Sequence, residues 1–170
     1  IRDDNPVIFL ETKLLYKTKG AVPEEEYLVP FGQADVKRPG KDVTVVTWGR
    51  CVQMCLDVAK KLEAEGKDVE VIDPRTLIPL DRQAIVDSVK KTHKLVVVHE
   101  AVKTGGFGGE IVSSIADSDA FFYLDAPIKR VGAMDCPIPF NPILEKYVLP
   151  NTDSIEAAIR KSGILALFPE

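Results

Sequence analysis

The chain has 170 residues, 45% of them hydrophobic and 28% charged, with a formal net charge of −4. A chain of this length can bury a substantial core, and the acidic balance gives no support to nucleic-acid binding, which calls for a basic face. No apolar run approaches the ~18 residues needed to cross a bilayer, and a mean hydropathy of +0.01 reads as a globular protein, not a disordered one.

The first residues, Ile1 to Pro6, lack the apolar stretch of a signal peptide. The chain does not begin with Met, and we read it as a processed or cut product. Pro6 to Glu11 is a short apolar run that reads as a strand, the last of a domain whose earlier part is missing. Residues 17–42 follow, with three prolines, three glycines and the acidic run Glu24-Glu25-Glu26. Proline favours extended backbone and removes donors, so this reads as a linker crossing a surface. Ala34 to Lys37 could pair as a short edge strand before the Pro39-Gly40 turn.

From Asp42 a strand–helix rhythm begins. Val43 to Trp48 reads as a strand. Arg50 to Ala64 reads as a helix with Cys51, Cys55, Val58 and Leu62 on one stripe, and Gly66 is placed to end it. Val69 to Asp73 is the next strand, and Asp81 can cap a helix running to Lys91 with Ile85 and Val89 inward. Leu95 opens a third strand. Val43, Val69 and Leu95 are spaced 26 residues apart each time, about one strand, one helix and two short loops. This alternation predicts a three-layer α/β/α fold with a mostly parallel sheet of about five strands.

Leu95-Val96-Val97-Val98 reads as a strand buried on both faces. Gly105-Gly106-Phe107-Gly108-Gly109 follows, then a helix with Ile111, Val112, Ile115 and Ala116 on its apolar stripe. A dinucleotide cradle would need a third glycine at position 111, which is Ile111, and no Lys-Ser/Thr pair follows for a Walker loop. The remaining reading is a tight turn packed against a neighbouring subunit or domain, which makes Gly105, Gly106, Gly108 and Gly109 candidate interface residues. Ile128 to Gly132 reads as a further strand. Asp135 to Pro142 holds three prolines within six residues and is predicted irregular. The last helix is expected near Asp153, with Glu156 completing a capping box, Ile155 and Ile159 buried, and Gly163 as its stop. The tail beyond Ser162 is hydrophobic.

Little in this pattern announces chemistry. The three cysteines and two histidines make no zinc spacing; an odd count suggests free thiols in a reducing compartment, with Cys51 and Cys55 as small buried hydrophobes. His99-Glu100 at a strand end is the best catalytic candidate. Its competitor is an ordinary strand terminus whose polar groups bond the next loop. Arg75, in Asp73-Pro74-Arg75, could bind an anion or pair with Asp73 or a neighbouring subunit. Asp125 falls in a loop and is expected to be exposed.

Several segments in one order resemble a known family: KGAVPEEEYLVPFGQADVKRPGKDVTVVTWG, VEVIDPRTLIPLD, VVVHEAVKTGGFGGEI and APIKRVGAMDCPIPFNPILEKYVLP. They look like the C-terminal half of the beta subunit of the thiamine-dependent decarboxylase component of 2-oxo acid dehydrogenases, the pyruvate, branched-chain and acetoin types. Transketolases share this C-terminal domain. The resemblance divides the chain into residues 1–16, the tail of a missing pyrimidine-binding domain; 17–41, a linker; and 42–170, the transketolase-like domain. It implies a parent enzyme that decarboxylates a 2-oxo acid on thiamine diphosphate and acylates a lipoyl group. The activating glutamate would lie in the missing domain, and the alpha subunit would hold the diphosphate and magnesium. No residue here matches the cofactor motif, so no catalytic, cofactor or metal residue is carried over, and the fragment alone is expected to be inactive and to bind no cofactor. The implied partners are an alpha subunit and a second beta subunit in an alpha2beta2 assembly, and the lipoyl acyltransferase core, which Asp125 and the chain's C-terminus would help to bind. Nucleic acid and membrane are not among them. The implied location is the cytoplasm of a prokaryote, or the mitochondrial or plastid matrix. The rival readings are a free-standing anion- or nucleotide-binding α/β module and a non-enzymatic scaffold domain.

Overall fold

A five-stranded sheet forms the middle layer of the computed structural model, which describes residue 2 and residues 4–163. Its strands are β1 (Asp35–Arg38), β2 (Val43–Thr47), β3 (Val69–Asp73), β4 (Leu95–Val102) and β5 (Lys129–Ala133). They lie in the order β1-β3-β2-β4-β5. The inner pairs are parallel, and only the edge strand β1 runs antiparallel, against β3. The helices are α1 (Cys51–Glu63), α2 (Arg82–Thr92), α3 (Gly108–Ala116), α4 (Pro142–Val148) and α5 (Thr152–Lys161).

Alternation along each strand sends side chains to both faces, and both are covered. Val43, Val45, Val69, Val71, Val96 and Val98 pack against Cys55, Val58 and Leu62 of α1 and Ile155 and Ile159 of α5. On the opposite face Val46, Leu95 and Val97 meet Ile85 and Val89 of α2 and Ile111 and Ile115 of α3. Each such aliphatic, fully buried, contributes about 1.5–3 kcal/mol relative to exposure. This is the expected three-layer architecture.

The edge strand expected at 34–37 is present as β1. The linker before it is stitched down at its end, where Gly32 and Ala34 donate backbone N–H to Thr76 Oγ1 (2.9 Å) and Asp81 Oδ2 (2.8 Å). Asp81 also caps α2, accepting from the Ala84 N–H.

Three expectations need correction, and one helix was not expected. Pro6 to Glu11 is not a strand: residues 4–11 carry no regular secondary structure and are exposed, with no neighbouring edge to complete a ladder. The capping box of the last helix starts earlier than Asp153: Asn151 Oδ1 accepts from Ser154 N–H at 2.9 Å and Ser154 Oγ accepts from Asn151 N–H at 3.1 Å. Glu156 instead pairs with Lys61 and Arg160. A short helix, α4, follows the Pro-rich segment, opened by Asn141 as N-cap and Pro142 inside it. Strand β4 runs past Val98 to Val102, which places His99 inside a strand and not at its end. The hydrophobic tail lies, beyond Gly163, outside the described residues.

Candidate functional site

The β4–β5 ladder changes register near its carboxyl end. Val98 faces Val131, but the next pair is Val102 with Ala133, so four steps on β4 match two on β5. His99, Glu100 and Ala101 fall in this bulge, a device that re-aims side chains near sites.

Alternation from Leu95 and Val97 carries His99 to the same face of the sheet, where its ring is fully buried. It stacks on Trp48, which follows β2, with centroids 5.3 Å apart and planes 12° from parallel. Phe107 meets Trp48 edge-on at 6.2 Å. From β2 the chain places β3 on one side and β4 on the other, so the Trp48–His99 pair marks the point where the strand order reverses. Open α/β sheets bind ligands beyond such a point.

The glycines of the following loop close over this ring. A Cβ on Gly106 would lie 2.7 Å from His99 Cε1 and 2.2 Å from the Val102 carbonyl oxygen. One on Gly108 would lie 2.5 Å from Nε2 and 2.6 Å from Cδ2. From β5, one on Gly132 would lie 2.8 Å from the Ala101 carbonyl oxygen and 3.3 Å from His99 Cε1. Side chains do not fit at these distances. Gly105 has a different reason, a φ of +69°, which disfavours side chains. Gly109 meets only Arg130 Nη1, at 3.5 Å.

Neither ring nitrogen of His99 has a hydrogen-bond partner. Burial pushes its pKa below the usual 6.5 and the Arg130 charge adds to this, while the Ala101 backbone pulls the other way. The ring is therefore a neutral packing element in this arrangement. The loop packs on the ring through Gly106 and Gly108.

Outside this sealed cluster lies an open cleft of about 910 Å³. One wall is the loop leaving β3, from Leu77 to Arg82; the other is the glycine loop with Phe107 and Glu110; Lys103 and Arg130 complete it. Arg82 Nη2 bridges the walls to Glu110 Oε1 at 2.7 Å, and Arg130 Nη1 donates to the Lys103 carbonyl at 2.9 Å.

Other candidates are placed elsewhere. Arg75 pairs with Asp35 at 2.9 Å on the edge strand, and its backbone N–H donates to Asp73 Oδ1. Lys37 first and then Arg75 hold the Asp35 carboxyl below its ordinary pKa, although partial burial opposes them. Arg75 is thus committed within the chain. Asp125 is exposed, as expected, and its backbone N–H donates to the His93 carbonyl at 2.9 Å. Burial pushes the Cys51 and Cys55 thiols to about 12, so both are inert hydrophobes, whereas Cys136 is exposed. Among the described residues no group of three or more His, Cys, Asp or Glu could hold a metal ion, and no helix is long and apolar enough to cross a membrane.

Residues 32–155 match the family model "Transketolase, C-terminal domain". The chain belongs to the transketolase C-terminal domain family. This transketolase-type domain is 44% identical over 163 residues to the 2-oxoisovalerate dehydrogenase subunit beta of Bacillus subtilis, covering 95% of this chain and 50% of that protein. It is 48% identical over 161 residues to the pyruvate dehydrogenase E1 component subunit beta of Rickettsia felis, covering 95% and 49%. It is 44% identical over 155 residues to the acetoin:2,6-dichlorophenolindophenol oxidoreductase subunit beta of Bacillus subtilis, covering 91% and 45%. The chain therefore spans about half the length of these relatives. Among solved structures, a split-gene transketolase described as an inactive beta4 tetramer superposes with a TM-score of 0.68 at 32% identity, covering 84% of this chain and 44% of that one.

Sequence reading finds the glycine run of this transketolase-type domain but not its reason, because Trp48, His99, Phe107 and Gly132 come from four separate segments. The signal available was Trp48 ending one strand and His99 following the run of another. The cleft's cations, Arg82, Lys103 and Arg130, give no local pattern at all.

Proposed function

We propose that this chain is the C-terminal assembly and docking half of the beta subunit of a 2-oxo acid dehydrogenase decarboxylase. The observation that carries this reading is the match of 91–95% of the chain to about half of each of three beta subunits, two of 2-oxoisovalerate and pyruvate dehydrogenases and one of an acetoin oxidoreductase. In this reading the parent enzyme decarboxylates a 2-oxo acid on thiamine diphosphate and passes the acyl group to a lipoyl group. The residues present do not fit a magnesium diphosphate site: the described residues offer no metal-ligand cluster, and the one acidic group in the cleft, Glu110, is paired with Arg82. We assign cofactor and metal to the other half of the subunit and to the alpha subunit.

Assembly is supported by the apolar surface. Ile8, Phe9 and Leu10 are exposed, as are Phe140, Ile143 and Tyr147 around α4, with Phe140 fully open to solvent. Large apolar side chains grouped on a surface mark interaction sites. We propose an alpha subunit and a second beta subunit as their partners, and Asp125 as a contact to the lipoyl acyltransferase core. For the glycine run the partner-facing role is proposed at Gly105 and Gly109, whose Cβ positions are not blocked from inside; Gly106 and Gly108 are already accounted for by His99.

The test is turnover. With thiamine diphosphate, magnesium and a 2-oxo acid, the chain alone should release no carbon dioxide above the buffer rate. As part of a full beta subunit mixed with its alpha subunit, it should support release. Decarboxylation by the pure chain would overturn the reading.

A further inference from the structure

We propose that the cleft between the β3–α2 loop and the glycine loop is a binding site for a small organic anion, an apolar body carrying a carboxylate or a phosphate. It competes with the partner-facing role proposed for Gly105 and Gly109, which line the same cleft, and rests on this chain's own side chains.

The first argument is charge. The whole chain carries a formal charge of −4, yet the cleft gathers Arg82, Lys103 and Arg130 against the single acid Glu110. The three cations come from three separate elements, the start of α2, the residue after β4, and β5 itself. Glu110 satisfies Arg82. Neither Lys103 nor Arg130 forms an ion pair among the described residues. Arg130 has one N–H donated to the Lys103 carbonyl, which fixes a guanidinium that has five donors in all. A planar guanidinium held in this way suits a carboxylate or phosphate.

The second argument is shape. The volume of about 910 Å³ lies in the range of about 300–1,000 Å³ seen for small-molecule sites. Its other walls are apolar, with Leu77, Ile78 and Phe107. Ile78 is 86% exposed at the rim, a cost in water that an apolar ligand body would remove. A bare inorganic anion would leave these walls wet.

The third argument is position. The cleft lies beyond the carboxyl ends of the parallel strands, where open α/β sheets bind ligands. The N-terminus of α3 opens onto it, and Phe107, its N-cap residue, makes no side-chain capping bond.

The experiment is calorimetric titration of the chain with three probes: ADP, 4-methylpentanoate and inorganic pyrophosphate. ADP or 4-methylpentanoate should bind one to one with a dissociation constant below about 1 mM; which of them binds separates phosphate from carboxylate recognition. Pyrophosphate should bind at least about tenfold more weakly, since it lacks the apolar body. Lys103→Gln with Arg130→Gln should weaken the body-bearing anion by about tenfold or more. Both side chains are exposed, so circular dichroism should show the variant folded. Ile78→Asp, a second variant at the rim, should weaken binding as well. Failure of all three probes to bind below about 1 mM, or equal affinity in the variants, overturns the proposal. So does equal affinity for pyrophosphate, which would indicate charge attraction alone.

Discussion

A Cβ added to Gly108 would sit 2.5 Å from His99 Nε2; the helix that follows the glycine loop begins with a glycine because a buried imidazole occupies the side chain's space. Two effects compete on substitution. Gly108 lies in α3, where alanine would gain about 1 kcal/mol in helix propensity. Overpacking a filled site costs typically about 1–3 kcal/mol, and the ring has Trp48 stacked beside it. We expect Gly108→Ala to destabilise in urea unfolding by about 1–2 kcal/mol net, and the same change in a His99→Ala background to be neutral or stabilising. Additive effects would mean that the two residues do not share that space.

The buried ring also predicts a pH slope. The folded pKa of His99 is lowered from 6.5, first by burial and then by Arg130. Above about pH 6.5 both folded and unfolded chains carry a neutral ring. Below it the unfolded chain takes up a proton that the buried ring refuses, so stability falls as pH drops towards the folded pKa. Replacing the ring by a non-titrating one, His99→Phe, should flatten the dependence of unfolding free energy between about pH 7 and pH 5.5, whatever its effect on stability at pH 7. Parallel curves for the two proteins would contradict the neutral, buried state.

Glu70 anchors the far end of the sheet. It is nearly fully buried, and its carboxylate accepts from Ser88 Oγ (2.5 Å), the Gly40 N–H (3.0 Å) and Lys91. Ser88 in turn contacts Thr44 Oγ1, which reaches Thr92. Burial pushes this carboxyl's pKa up, but Lys91, Ser88 and Gly40 together hold it below its ordinary value. Its contribution to stability is therefore present above the unfolded carboxylate pKa and is lost as pH falls through the lower folded value. Glu70→Ala strands these donors and should cost about 1–3 kcal/mol at neutral pH, less in acid. Chemical denaturation at the two pH values checks both the size and the sign.

Much of this architecture was legible because it is periodic. The stripe Cys51, Cys55, Val58, Leu62 and the aliphatic runs of β2, β3 and β4 each declare their burial from local spacing. Elements without a buried stripe escaped: of α4 only Val148 is buried, so no periodicity marked it, although Asn141-Pro142 is an N-cap signal. The apolar run Ile8-Phe9-Leu10 misled in the opposite direction, since a strand needs an edge that these residues do not meet. The site was half legible. The glycines stood out, but that Gly106 and Gly108 close on a His99 ring stacked with Trp48 is a long-range arrangement that no window of sequence contains.

Asp125 separates docking from folding. The side chain is exposed, and an exposed carboxylate contributes roughly 0–1 kcal/mol to folding even when paired. Buried against a cation at an interface, it would cost about 2–5 kcal/mol to remove. The measurement is calorimetric binding of the beta subunit that contains this chain to the subunit-binding domain of the lipoyl acyltransferase. Asp125→Ala should leave the melting temperature unchanged and weaken binding by about thirtyfold or more, with the loss shrinking as salt rises. Equal affinity of variant and parent, both folded, would contradict it.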